Sequence, residues 1–205
     1  MQLISIVDYG MGNLRSVQKS FERIGASTTI VADPAQLKDA QRVVIPGVGH
    51  FKNAMDVLTS NGFADQIREF ALIKQRPVLG ICLGMQLMTS RSEEGDAEGF
   101  GFVEAETKQF HFANQSRLKV PHMGWNSLIH AGDHTIGKGL NEDDLVYFVH
   151  SYFVTCKNSN DVLFKTAYGN TFDAAFMKHN IVGFQFHPEK SHQVGLQLLK
   201  DFLSI

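Results

Sequence analysis

The residue with the clearest chemical setting is Cys82, in Gly80-Ile81-Cys82-Leu83-Gly84. It follows an unbroken apolar run, Val78 to Ile81, and precedes a helix-like stretch, Gly84 to Ser90. A nucleophile on a sharp strand-to-helix turn needs small neighbours, because backbone approaches closely there and a Cβ would clash. The helix start favours a thiolate, the reactive form of cysteine, and the backbone N–H of Leu83 can face a developing oxyanion. A cysteine nucleophile needs a base, and the base needs an orienting group. Of nine histidines, His187 is the best placed. It follows the strand-like run Ile181 to Phe186, and in extended backbone positions i and i+2 share a side. Pro188 restricts His187 to extended geometry, so Glu189 can hold the imidazole while His187 takes the thiol proton. A third piece, Pro46-Gly47-Val48-Gly49, follows the strand-like run Arg42 to Ile45. Its turn can expose the N–H groups of Gly47, Val48 and Gly49 as the second arm of an oxyanion hole. If the strands are parallel, this turn and Cys82 share the edge where ligands bind in open α/β sheets.

The elements that must position these groups alternate through the first half of the chain. Strands are predicted at Leu3 to Val7, Ser27 to Val31, Arg42 to Ile45 (halted by Pro46) and Val78 to Ile81. Helices are predicted at Leu14 to Ile24, stopped by Gly25, and at Ala54 to Leu58, Phe63 to Ile73 and Gly84 to Ser90. This alternation predicts an α/β fold with an open, mostly parallel sheet flanked by helices. The second half reads as short hairpin strands at Gly101 to Ala105, Leu145 to Tyr152, Val162 to Tyr168, Ala174 to Lys178 and Ile181 to Phe186, an antiparallel β extension. Val194 to Leu203 carries a helical apolar stripe.

The 205 residues suit one domain, 1–205, with one active site. Lys plus Arg is 19 and Asp plus Glu is 21, a formal charge of -2. That balance gives no basic footprint for nucleic acid. The apolar runs are strand-sized, so no membrane span is expected, and the N-terminus lacks signal-peptide character. A cytoplasmic location follows, with both cysteines, Cys82 and Cys156, as reduced thiols. Cys156 lacks the context of Cys82 and reads as structural.

The segments Gly80 to Gln86 (Gly-Ile-Cys-Leu-Gly-Met-Gln) and His187-Pro188-Glu189 resemble class I (triad) glutamine amidotransferases. Within that family, Asp8 to Asn13, Pro46 to Phe51, Pro121-His122-Met123-Gly124-Trp125-Asn126 and Phe186 to Ser191 are similar to the glutaminase subunits of imidazole glycerol phosphate synthases. The resemblance implies a Cys82–His187–Glu189 triad that hydrolyses glutamine to glutamate and ammonia. It implies that Gly49, Gln86 and Glu94, with main chain near Ser151 and Tyr152, bind the glutamine backbone groups. It further implies a heterodimer with a (βα)8-barrel cyclase of histidine biosynthesis that consumes the ammonia. Asn13, Trp125, Tyr147 and Lys190 would lie at that interface. Neither a cofactor nor a metal is expected.

One departure leaves alternatives open. After the elbow the chain reads Leu87-Met88-Thr89-Ser90-Arg91-Ser92, where the family more often has aromatic and acidic residues. A paralogue feeding ammonia to another synthase, for example in surface-sugar biosynthesis, is one alternative. A stand-alone cysteine hydrolase of γ-glutamyl compounds is another. Three weaker patterns are set aside. Gly10-x-Gly12 with Asp33 mimics a dinucleotide fingerprint, but Arg15 stands at its last glycine. Gly132-Asp133-His134-Thr135-Ile136-Gly137-Lys138 spells most of a P-loop, but Gly139 has no hydroxyl for magnesium. His130 and His134 are four apart, but Gly132 and Asp133 break the helix that would pair them on zinc.

Overall fold

The computed structural model describes residues 3–112, 117–132 and 134–205, so Asp133 of the P-loop-like stretch lies outside it. The chain runs β1 (Leu3–Val7), α1 (Leu14–Arg23), β2 (Ser27–Val31), β3 (Arg42–Gly47), α2 (Phe51–Ser60), α3 (Phe63–Arg68), β4 (Val78–Cys82) and α4 (Leu83–Leu87). Short strands follow: β5 (Arg91–Ser92), β6 (Ala97–Glu98), β7 (Ala105–Gln109), β8 (His122–Ser127) and β9 (Ile129–His130). The remainder is β10 (Leu145–His150), β11 (Tyr152–Cys156), β12 (Val162–Tyr168), β13 (Asn170–Lys178), β14 (Ile181–Phe184) and α5 (His192–Phe202).

The main sheet has the order β2-β1-β3-β4-β14-β13-β11-β7-β5-β6, with β12 and β9 joined at β13. From β2 to β14 every neighbouring pair is parallel. From β14 to β7 the ladders are antiparallel. This is the α/β fold expected, with its antiparallel extension. β8 and β10 form a separate antiparallel pair. β4 is fully buried because parallel partners flank it and helices cover both faces. One apolar cluster, including Phe51, Phe70 and Phe176, packs on one side of the sheet. Another, including Phe21, Phe184 and Phe202, packs on the other.

Five expectations need correction. β3 is not halted at Pro46: Pro46 and Gly47 still pair with Ile81 and Cys82. The β1 ladder ends at Val44, so Pro46 has a strand partner on one side only, where a missing N–H is tolerated. The helix expected at Gly84 to Ser90 starts at Leu83 and stops at Leu87. Its end and the absence of a strand over 101–104 share a cause. The carbonyls of Leu87, Met88 and Thr89 accept from the N–H groups of Phe100, Phe102 and Gly101, so these two stretches satisfy each other. The strand therefore begins only at Ala105. Leu145 to Tyr152 is two strands, because the chain leaves β8 at Ser151 to join β7 and β13. β14 ends at Phe184, two residues short of the expected Phe186.

Candidate active site

Cys82 sits at the C-terminal end of β4 with φ 54° and ψ −108°, a backbone conformation that costs strain for a residue with a Cβ. The flanking glycines are sterically required. A Cβ on Gly84 would stand 1.8 Å from the Ile45 carbonyl oxygen, and one on Gly80 would stand 2.5 Å from the Gly84 backbone. The elbow thus presses its backbone onto β3. Register places Gly47 beside Cys82, so the Gly47-Val48-Gly49 turn lies against the thiol. Gly49 has φ 114°, which favours glycine.

β14 delivers the other half of the site to the same edge. Beyond it, His187 is extended, with φ −98° and ψ 95°, and Pro188–Lys190 forms a 3₁₀ turn. The expected extended backbone therefore holds for His187, while Glu189 reaches it from a turn. His187 Nδ1 and Glu189 Oε1 are 2.8 Å apart, and both side chains are buried. α5 anchors this turn, because Gly195 lets its backbone approach the Pro188 carbonyl. His187 Nε2 is buried and closes no hydrogen bond among the described residues. Burial alone would lower the imidazole pKa. Coupling to Cys82, and the Glu189 hydrogen bond and charge, outweigh it and raise the value to about 10. At neutral pH the ring is an imidazolium.

A cavity of about 300 Å³ opens beside Cys82, lined by Val48, Gly49, Leu83, Gln86, Glu94, Pro121, Val149, His150, Ser151 and Tyr152. Its size suits a small, polar ligand. Every residue expected to bind glutamine lines it. Gln86 Nε2 donates to the Tyr152 carbonyl and to Gln185 Oε1, both at 3.0 Å. With that nitrogen committed, Oε1 is the Gln86 atom left for a ligand. Glu94 Oε2 accepts from the Phe51 N–H at 2.7 Å, which holds the carboxylate at the start of α2. The Ser151 carbonyl accepts from Phe110 N–H.

Three polar residues escaped the sequence reading. Gln185 is fully buried and points Nε2 at Cys82 Sγ, 3.9 Å away. Its signal was available: it is the one polar side chain in the run Val182 to Phe186. His150, which lines the cavity, and His122 form a buried pair, 3.0 Å between ring nitrogens. By contrast, Cys156 lies away from the site on β11. Burial, reinforced by Asp173, pushes its thiol far up.

Of the residues expected at an interface, Trp125, Tyr147 and Lys190 gather together. Trp125 and Tyr147 are cross-strand partners with rings 5.7 Å apart. Lys190 Nζ lies 5.6 Å over the Tyr147 ring, and Trp125 is 45% exposed. Asn13 stands at the start of α1, its side chain making no capping bond. Asp33 of the dinucleotide-like pattern caps a 3₁₀ turn through Ala35 N–H. Among the described residues, no helix is long and apolar enough to cross a membrane, and no three His, Cys, Asp or Glu side chains are grouped to hold a metal.

A cysteine elbow, a His–Glu pair and a glycine turn share one sheet edge. The family model for class-I glutamine amidotransferases matches residues 5–205. The chain belongs to that family, and within it to the HisH subunits of imidazole glycerol phosphate synthase. The HisH subunit of Syntrophotalea carbinolica is 46% identical over 204 residues, covering 98% of each chain. That of Sulfurimonas denitrificans is 45% identical over 202 residues, covering 98% of this chain and 97% of its own. Among solved structures, PurLQS from Thermotoga maritima has a TM-score of 0.76 at 16% identity, covering 99% of this chain and 98% of its own. A crystal structure of a glutamine amidotransferase has a TM-score of 0.75 at 17% identity, covering 98% and 97%. At those identities the two structures speak to the fold.

Proposed function

We propose that the chain is a single glutaminase domain of the cytoplasm and the ammonia-producing subunit of an imidazole glycerol phosphate synthase in histidine biosynthesis. The observation that carries this reading is the convergence of Cys82, the buried His187–Glu189 pair and a glutamine-sized cavity at one sheet edge.

In this reading the proton rests on His187 before substrate arrives, and Cys82 attacks the glutamine side-chain amide as a thiolate. The oxyanion is held by the N–H of Leu83 and by the Gly47-Val48-Gly49 turn. His187 Nε2–H protonates the departing nitrogen, and ammonia leaves. The neutral imidazole then takes a proton from water, which opens the glutamyl thioester and frees glutamate. Glu189 fixes the ring through Nδ1 throughout. Gln86 Oε1 and the Glu94 carboxylate face the α-ammonium, and Gly49 with the main chain of Ser151 and Tyr152 completes the binding of the backbone end.

Ammonia is protonated in neutral water and then loses its nucleophilicity, so a shielded path to a second subunit is required. The partner in this reading is a (βα)8-barrel cyclase, docked on Asn13, Trp125, Tyr147 and Lys190. The full-length HisH relatives favour it over the paralogue and the stand-alone hydrolase. In the complex, Cys82→Ala should abolish glutamine-dependent synthesis while ammonium salts still support it. Glutamine-dependent activity surviving that change would overturn the assignment.

A further inference from the structure

Along the wall of the glutamine cavity, two histidines and three amides form one continuous hydrogen-bonded chain. His150 Nδ1 lies 2.7 Å from the Tyr152 carbonyl oxygen. A carbonyl can only accept, so Nδ1 carries a hydrogen and donates. His150 is 5% exposed, and burial lowers its pKa to about 3, so Nε2 is a bare lone pair. His122 Nδ1, 3.0 Å away, must therefore be the donor to it. Burial also lowers His122, to about 4, which leaves its Nε2 as an acceptor facing Asn126 Nδ2 at 3.4 Å. The Asn126 amide is oriented independently: Nδ2 donates to the Ala167 carbonyl at 3.0 Å, and Oδ1 accepts from Ser127 N–H at 2.9 Å. Backbone groups at both ends thus dictate one direction for the whole chain.

The chain does not stop at Tyr152. The same carbonyl accepts from Gln86 Nε2, which also donates to Gln185 Oε1, and Gln185 Nε2 points at Cys82 Sγ. Packing leaves the two imidazoles little freedom. His122 is sandwiched between the Tyr168 and Phe148 rings, with centroids 4.0 and 4.7 Å away. His150 packs against Phe110 and Phe172. Apolar residues would fill this aromatic core at lower desolvation cost, so two neutral polar rings there serve their hydrogen bonds.

We infer that His122 and His150, in fixed Nδ1–H tautomers, are positioning residues for glutamine hydrolysis: they hold the Tyr152 carbonyl so that Gln86 presents Oε1 to the substrate. The inference rests on the glutaminase reading above. Because β8 carries both His122 and Trp125, the relay also ties the cavity wall to the exposed strand pair.

The test uses the complex with its cyclase partner, comparing wild type with His122→Phe and His122→Asn. Phenylalanine keeps the ring packing and removes the donor. Asparagine restores a donor close to the Nδ1 position. His122→Phe should raise KM for glutamine about tenfold, the effect of losing one oriented hydrogen bond, with kcat within about twofold and ammonia-dependent synthesis unchanged. His122→Asn should recover most of the KM. An unchanged KM in His122→Phe, or no recovery in His122→Asn, overturns the relay. Histidine ¹⁵N spectra of the wild-type protein at pH 6 give a readout that needs no variant to fold. Both rings should be neutral Nδ1–H tautomers, and an Nε2–H form of either refutes the inference. A wild-type complex without glutamine-dependent activity would instead sink the glutaminase reading and leave the tautomer result standing.

Discussion

Under the proposed function, the proton that Cys82 and Glu189 favour on His187 is the one ammonia departs with. Burial pulls the imidazole pKa down, while Cys82 and Glu189 pull it up and prevail. Replacing the carboxylate removes one of the raising causes and leaves the burial. In Glu189→Gln the imidazolium must therefore be lost at lower pH, and the alkaline limb of kcat/KM should move toward neutrality by about one unit or more. A pH profile of glutamine hydrolysis in the complex measures it, and an unmoved limb would remove Glu189 from its role. The placement of Cys82, His187 and Glu189 was legible because residue type and spacing carry it: a cysteine between glycines, and a histidine two residues before a glutamate. The roles of Gln185, His122 and His150 were not, because they depend on partners 99 positions apart for Gln86–Gln185 and 103 for Cys82–Gln185, and on the pairing of β8 with β10. A lone glutamine in an apolar run marks a buried amide but not its partner, and a neutral imidazole has no local signature.

The elbow works only because the start of α4 is pressed against β3, and Gly84 is where they touch. An alanine there would drive its Cβ into the Ile45 carbonyl, a backbone atom that cannot swing aside. Gly84→Ala should cost about 3 kcal/mol or more and lower Tm by roughly 10 °C. Gly139, with open space around it and no positive φ, is the control: Gly139→Ala should leave Tm within about 2 °C. Calorimetry on both variants decides it, and an equal Tm for the two would contradict the close approach. The parallel half of the sheet was legible at this scale, because buried strands and amphipathic helices alternate with regular punctuation. The errors fell where backbone groups find partners far along the chain. The stretch from Leu87 to Thr89 trades its helical bonds for the N–H groups of 100–102, and Ser151 breaks one apolar run into two strands. Periodicity carries neither fact, since both are settled by tertiary pairing.

At the scale of the whole molecule, the active edge also carries unburied apolar side chains. Val48 is 45% exposed, Met123 62% and Trp125 45%. Trp125 stacks flat on His192, 5.0 Å between centroids, and packs edge-on to Tyr147. A large aromatic held rigid at the surface loses little conformational entropy on being covered, which is the property of a docking anchor. The near-neutral charge of -2 suits a protein partner, and under the proposed function a released ammonia molecule must meet that partner before it meets water. Under the proposed function Trp125 therefore belongs to the contact with the cyclase. Trp125→Ala should weaken the complex by about 2 kcal/mol, roughly thirtyfold in Kd. Because the side chain is half out of the core, Tm of the free subunit should fall by no more than about 3 °C. Titration calorimetry of the two subunits measures the first quantity and a thermal scan the second. A Kd unchanged by the substitution would move the docking surface away from the β8–β10 pair, whereas a large drop in Tm would show that Trp125 serves the fold itself.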